Sequence, residues 1–359
     1  VENCLFVGVV LRMTRVTKVH GTIYTNIMNR NLLLFRFSLN KNRAIHHFLQ
    51  LTVILPRFTA ATCLAALIIL TSIPSAAQQS NNESGLLVMA HGGTEDWNEA
   101  VLQAVEPLRA DLPVAVAFGM ANPHTLQEAV DVLESKGVAR IEVVRLFISG
   151  DSFLEATEYA FGLRNEKPQG HFLHEPHPLS LTVPVRLSSK GLMDVTRLGG
   201  ILADRTQTLS QEPGNESVLV IGHGPASDEE NERWLANMDA MADSIRHIGP
   251  FNDVRVTTLR EDWTGKREEA EAQIRAFMDA QAAAGHNVLV LPFRLRGFGP
   301  YAEVLEGYDY LADHNGFLPD TRITDWIRAE FEALRSLPVA AGMTSKSGKP
   351  AEHADGQAH

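Results

Sequence analysis

The chain has 359 residues, 45% of them hydrophobic and 21% charged, with a formal net charge of −11; this is a globular composition, neither disordered nor fibrous. The charge is uneven, because residues 1–77 carry eight basic residues (Arg12, Arg15, Lys18, Arg30, Arg36, Lys41, Arg43 and Arg57) against Glu2 alone, which leaves −18 on the remainder. A body this acidic argues against nucleic acid and anionic membrane as partners and suits cations, although surplus acid also serves plain solubility.

In chain order, the first feature is the apolar run Phe58–Ile73, preceded by Arg57 and followed by Pro74–Ser75–Ala76–Ala77. A basic flank, a short apolar core and small residues at the end predict a secretory signal cut after Ala77, and so a periplasmic or secreted product. The run is short for a membrane span, which needs about 20 apolar residues; an uncleaved anchor is the alternative, and only then is the membrane a partner. The chain begins with Val, and its first 50 or so residues lack periodicity, which reads as an over-extended start. Cys4 and Cys63 both fall in the segment expected to be lost, so neither disulfides nor thiolate chemistry are expected.

After a polar linker at 78–84, strands and helices alternate. Leu86–Ala90, Pro113–Phe118 and Ile141–Ile148 read as strands, and Trp97–Leu108, Thr125–Lys136, Phe153–Leu163 and Leu192–Leu209 as helices. Gln211–Ser217 is a boundary rich in turn formers. The order then repeats, with strands at Val218–Ile221, Asp253–Leu259 and Val288–Phe293 and helices at Asn231–Arg246, Arg267–Ala284 and Thr324–Leu334. Fully apolar strands call for a parallel sheet covered on both faces, hence an α/β fold of two tandem lobes, residues 85–210 and 217–337, with 338–359 as a disordered tail.

The organising words are Leu86–Leu87–Val88–Met89–Ala90–His91–Gly92–Gly93 and Val218–Leu219–Val220–Ile221–Gly222–His223–Gly224. Each puts an imidazole at the carboxyl end of a core strand, where open α/β sheets place ligands, with a glycine that keeps the backbone open. A neutral imidazole ligates divalent metals and accepts protons; a histidine that merely bonds its own loop is the plain alternative. The two imidazoles are expected to look into a shared hollow between the lobes. His91 and His223 are 132 positions apart while Gly150 and Gly297 are 147 apart, so the second copy has gained about 15 residues, which we place in Asp262–Glu271.

The ends of the third strands supply the remaining candidates: Ser152 in the first copy and Arg294, Arg296 and Tyr301 in the second. The carboxylates just beyond them, Glu155 and Glu158 and then Glu303 and Glu306, are placed to take protons or complete a metal site, unless they are simply exposed helix carboxylates. Arg294 and Arg296 suit the carboxylates of an acidic substrate. His171, His174 and His177 lie between prolines that prevent a helix, and read as a surface loop. Trp97, Trp234, Trp263 and Trp326 read as packing residues. The chain has no P-loop, no G-x-G-x-x-G, no G-x-S-x-G elbow and no cysteine-based zinc spacing.

The tandem strand, His-Gly turn and acidic helix, carried by LLVMAHGGTEDWNEAV, VLVIGHGPASDEENERW, VVRLFISGDSF and VLPFRLRGFGPY, resembles the class II tetrapyrrole chelatases, the CbiX-type sirohydrochlorin cobaltochelatase family, over roughly residues 85–335. The resemblance implies two flavodoxin-like, chelatase-like lobes facing a cleft. It implies no organic cofactor, a tetrapyrrole and a divalent metal as substrates, and insertion of cobalt, iron or nickel into a sirohydrochlorin-like ring. It puts the metal histidines at His91 and His223; the residue reading adds Glu158 and Glu303 as proton relays and Gly92, Gly224, Ser152, Arg294, Arg296 and Tyr301 around the substrate. The family's second histidine is replaced by Ser152 and Gly299, and a secretory signal is foreign to its cytoplasmic pathways. A non-catalytic periplasmic carrier of metal or tetrapyrrole, and a structural protein with a vestigial cleft, are therefore the alternative readings.

Overall fold

The computed structural model describes residues 16–19, 22–25, 84–169 and 172–337. The expected signal, its cleavage point after Ala77, the 338–359 tail and His171 lie outside the described residues. A short antiparallel pair, β1 (Val16–Val19) and β2 (Thr22–Thr25), belongs to a separate N-terminal unit. No helix among the described residues is long and apolar enough to cross a membrane.

The main body contains two four-stranded parallel sheets. The first holds β3 (Ser84–Ala90), β4 (Val114–Phe118), β5 (Arg140–Leu146) and β6 (Val185–Leu187) in the order β4-β3-β5-β6. The second holds β7 (Glu216–Gly222), β8 (Val254–Thr258), β9 (Asn287–Phe293) and β10 (Leu311–Ala312) in the equivalent order β8-β7-β9-β10. Leu86–Ala90 of β3 and Val218–Ile221 of β7 are apolar at every position because both faces are covered. In β3, Leu86, Val88 and Ala90 face one core while Leu87 and Met89 face another. In β7, Val218 and Val220 join the first of these cores while Leu219 and Ile221 face a third. One continuous core therefore runs between the sheets, and each sheet has its own outer core.

The helices are α1 (Glu95–Val105), α2 (Pro123–Ser135), α3 (Leu154–Ala160), α4 (Gly199–Leu209), α5 (Asp228–Arg246), α6 (Thr264–Ala284), α7 (Tyr301–Val304) and α8 (Thr321–Ser336). Asn122, Ser227 and Asp320 accept backbone hydrogen bonds from the first turns of α2, α5 and α8. These caps start the three helices two or three residues before the sequence reading begins them, at Thr125, Asn231 and Thr324. The expected Leu192–Leu209 helix is instead two 3-10 turns, 192–194 and 196–198, followed by α4. At Gly199 a Cβ would run into the Met241 carbonyl, so glycine is what lets α4 press onto α5. The extra 15 residues of the second copy are not in one insertion. Eight lengthen the β7–β8 connection and seven the β8–β9 connection, as longer α5 and α6.

The last helix of each half packs on the other half. α4 lies against α5 and β9, while α8 lies against β5 and α1. Polar bonds fix α8 there: Thr324 donates to Ala104 O at 2.7 Å, Arg328 pairs with Asp111 at 2.8 and 2.9 Å, and Ser188 donates to Glu330 at 2.8 Å. Asp320, which caps α8, is pushed up by burial, yet bonds from the Arg322 side chain and backbone hold its carboxyl below the ordinary value of 3.8. A depressed folded pKa contributes stability that is present above the unfolded value and is lost as pH falls through the folded one. Thermal melts from pH 5 to pH 2 are therefore expected to show a falling Tm below about pH 4, and Asp320→Asn to flatten part of that fall.

Candidate functional site

The two His-Gly turns are geometric copies. Gly92 and Gly224 have φ of 82° and 81°, and the preceding imidazole in each donates from Nδ1 to the glycine carbonyl at 2.7 Å. A carbonyl oxygen only accepts, so Nδ1 carries a proton and Nε2 is the nitrogen left to meet a further partner. A Cβ at position 224 would meet Thr258 Cβ at 2.7 Å, and one at position 92 would meet Phe118 Cβ at 3.1 Å. Gly224→Ala is therefore expected to cost at least about 1–2 kcal/mol in urea unfolding from its backbone alone, and more than Gly92→Ala because of the closer clash.

What surrounds the two imidazoles differs. His223 is half-buried, with Nε2 3.1 Å from Asp262 Oδ2 and 3.9 Å from Glu261 Oε2. The Trp263 ring stands edge-on at 6.0 Å. Glu261 is largely buried and its other oxygen accepts from Arg294, whose guanidinium lies 5.8 Å over the Tyr301 ring. A lone-pair nitrogen facing carboxylate oxygens is repulsive unless a proton or a cation sits between them. The Arg260 guanidinium, itself buried, bonds the Pro225 and Ala226 carbonyls and, at 3.1 Å, Asp228. It thereby fixes the loop after Gly224. Asp228, also bonded by Lys266, has its carboxyl held below the usual range by these hydrogen bonds.

His91 is exposed and has no ion pair with a carboxylate among the described residues. Its neighbours are aromatic, with Trp97 at 6.3 Å and Phe153 at 6.4 Å between ring centroids. Phe153 stands at φ 56°, a left-handed conformation that costs about 1–2 kcal/mol for a residue with a Cβ. Arg145 holds the loop that carries it: this buried side chain on β5 donates to Ser188 O at 3.0 Å, to Ser152 O at 2.6 Å and to Gly150 O. Burial lowers the Arg145 pKa to about 10, against the pull of Glu158, Asp151 and Asp194.

The other expected site residues are dispersed. No hydrogen bond, ion pair or ring contact joins His91 to His223 among the described residues, and each belongs to its own half's cluster. A hollow of about 150 Å³ does lie between the halves, but Ser149, Gly150, Asp151, Ser189, Met193, Asp194, Arg233, Trp234 and Asn237 line it, and neither histidine does. Tyr301 is completely buried against Phe298 and has no exposed surface for a substrate; burial raises its pKa, so it is a neutral phenol. Arg296 is spent inside its loop on Asn315 Oδ1 at 2.8 Å and Leu318 O at 3.2 Å, and Arg294 on Glu261. Glu158 lies 3.8 Å from Arg164, and the exposed Glu303 lies 3.7 Å from Arg267. Ser152 contributes its carbonyl to Arg145.

Sequence reasoning missed Glu261, Asp262, Arg260 and Arg145. A signal for the first three was available. Arg260–Glu261–Asp262 follows the second strand of the second half after Leu259, at the same sheet edge as the His-Gly turn, where the first half has Met120–Ala121–Asn122.

Among solved structures, SirB from Bacillus subtilis with Fe3+ superposes with a TM-score of 0.50 at 16% identity, covering 69% of this chain and 96% of SirB. The two chains share a fold. A cobalt complex of the sirohydrochlorin chelatase SirB from Bacillus subtilis subspecies spizizenii gives a TM-score of 0.47 at 13% identity, covering 70% of this chain and 95% of that one. No protein-family model matches the chain, and neither does any curated protein. Among the described residues no three His, Cys, Asp or Glu side chains converge to hold a metal ion by themselves.

Proposed function

We propose that the chain is a metal chelatase whose second half receives a divalent cation, cobalt, iron or nickel, and inserts it into a sirohydrochlorin-like tetrapyrrole. The single observation that carries this is His223 Nε2 held 3.1 Å from Asp262 Oδ2 and 3.9 Å from Glu261 Oε2. Two carboxylates compensate a double positive charge, and an imidazole nitrogen is a donor that suits these metals. The set is incomplete, which fits a metal that arrives, waits and leaves, with the ring nitrogens replacing the protein donors.

Insertion exchanges the metal for two pyrrole N–H protons. The imidazole and carboxylates vacated by the metal are the acceptors within reach, acting as general bases. Arg294 fixes one oxygen of Glu261 and leaves the other toward His223, so the carboxylate is oriented before metal arrives. The first half lacks these carboxylates and takes no cation in this scheme.

A coupled absorbance assay with sirohydrochlorin and Co2+ tests the reading: wild type accelerates insertion over the blank, and Glu261→Gln lowers metal affinity by about 10–100-fold. Binding of metal without acceleration would favour a carrier on the same scaffold. Export belongs to the same proposal, and amino-terminal sequencing of the exported protein should begin at Gln78.

A further inference from the structure

We propose that Asn315 is a self-modification site, an Asn-Gly pair held unreacted by Arg296 and Asp313 and hydrolysed to aspartate and isoaspartate when that clamp opens. The site lies in the loop between β10 and α8 and stands whether or not the chain is a chelatase.

Asn315–Gly316 is the one Asn-Gly pair in the sequence. Glycine is required at 316, because φ is 80° there and a Cβ would run into the Arg294 carbonyl. The same lack of a Cβ leaves the glycine nitrogen unshielded, so it can attack the side chain that precedes it. In that reaction the Gly316 nitrogen bonds to Asn315 Cγ, the Cγ–Nδ2 bond breaks, and ammonia leaves with the proton that the Gly316 N–H gives up. Water then opens the five-membered imide at either carbonyl. One product is aspartate; the other is isoaspartate, whose main chain runs through the side-chain carbon. Water is the sole co-reactant.

Each group in the first step is occupied in the folded chain. The buried Gly316 N–H donates to Asp313 Oδ2 at 2.9 Å. The Asn315 amide is held at both ends, with Oδ1 accepting from Arg296 at 2.8 Å and Nδ2 donating to Asp313 Oδ1 at 3.1 Å. A guanidinium only donates and a carboxylate only accepts, so the amide can sit just one way round. Asp313 is itself buried and also accepts from the Asn315 N–H at 3.1 Å. Attack requires the amide to turn toward the glycine nitrogen and that nitrogen to lose its proton, so these contacts must break first. Arg296 therefore protects Asn315 by holding its amide.

The product would not fit the same place. Residues 313–318 clasp the loop that carries Arg294: Gly297 N–H donates to Asn315 O at 2.9 Å, Phe317 N–H to Arg294 O at 3.0 Å and Leu318 N–H to Leu295 O at 2.8 Å. Isoaspartate lengthens the main chain between these bonds, and either product sets a new carboxylate against Asp313, a like-charge contact.

The test incubates native protein and protein unfolded in urea side by side at neutral pH, and follows the peptide that carries Asn315 by mass spectrometry for the exchange of NH2 for OH. The native rate is expected to be at least about tenfold below the unfolded one. Arg296→Ala, shown to be folded by its Tm, should raise the native rate by about tenfold, the scale for losing a hydrogen bond to a charged group. Arg205→Ala removes only a bond to Pro319 O, 2.9 Å long in the same loop, and should leave the rate at wild type. Should Arg296→Ala fail to fold, Arg296→Lys, which keeps the charge and a donor, is expected between wild type and the unfolded chain. Modified protein separated by its extra negative charge should melt below the unmodified form. Equal rates in native and unfolded protein, a wild-type rate in folded Arg296→Ala, a rise in Arg205→Ala as large as in Arg296→Ala, or an unchanged Tm after modification would each overturn the proposal. None of these readings uses metal or tetrapyrrole, so failure here is distinguishable from failure of the chelatase reading.

Discussion

Replacing His223 by Ala is expected to slow cobalt insertion by at least ~100-fold, the usual scale for removing a proton acceptor that also holds the reacting group, while His91→Ala leaves the rate near wild type. The asymmetry follows from the surroundings of two otherwise matching turns. Both imidazoles have the same tautomer and the same glycine geometry, but only His223 meets carboxylates, at 3.1 and 3.9 Å. Arg294→Gln, which frees Glu261 without touching the imidazole, should reduce the rate less and mainly through weaker metal binding. Steady-state assays at varied Co2+ concentration separate the two effects. Equal losses in His91→Ala and His223→Ala would mean that the halves share the chemistry.

Trp326→Ala is expected to destabilise the whole main body by about 3–5 kcal/mol, the range for deleting a buried aromatic side chain. Trp326 is completely buried in the core that runs between the sheets, on a helix that closes the second half in sequence but lies on β5 and α1 of the first. Its loss should therefore lower the urea midpoint of both halves together, with fluorescence and circular dichroism transitions that coincide. Trp326→Phe keeps most of the apolar volume and removes an indole N–H that finds no partner among the described residues, so its cost should be much smaller. Two separate transitions in the alanine variant would contradict a shared core.

The duplication was legible because it is written in short-range pattern. Apolar strands, a His-Gly pair and a capped acidic helix occur twice, and six of the eight sheet strands follow from it. β6 and β10 were not legible, since three and two residues in polar, proline-broken loops carry no periodicity. The exchange of α4 and α8 between halves was equally hidden. An amphipathic helix states which face is apolar, not which sheet it covers.

At the site, the sequence placed His91 and His223 at the ends of their central strands, where the structure has them. It did not anticipate what stands beside them, because Glu261 and Asp262 reach His223 across strands that are neighbours only in the fold. Tyr301 illustrates the converse. Its position after a glycine-rich loop suggested a cleft residue, but one turn of helix turns its ring into the outer core.

Anomalous diffraction from a crystal soaked in Co2+ tests the central claim most directly. The cation is expected on His223 Nε2, with Glu261 or Asp262 as a further ligand and water completing the shell. A cobalt ion bound to His91 with His223 bare, or a His223 ring that keeps its carboxylate contacts and excludes the metal, would contradict it.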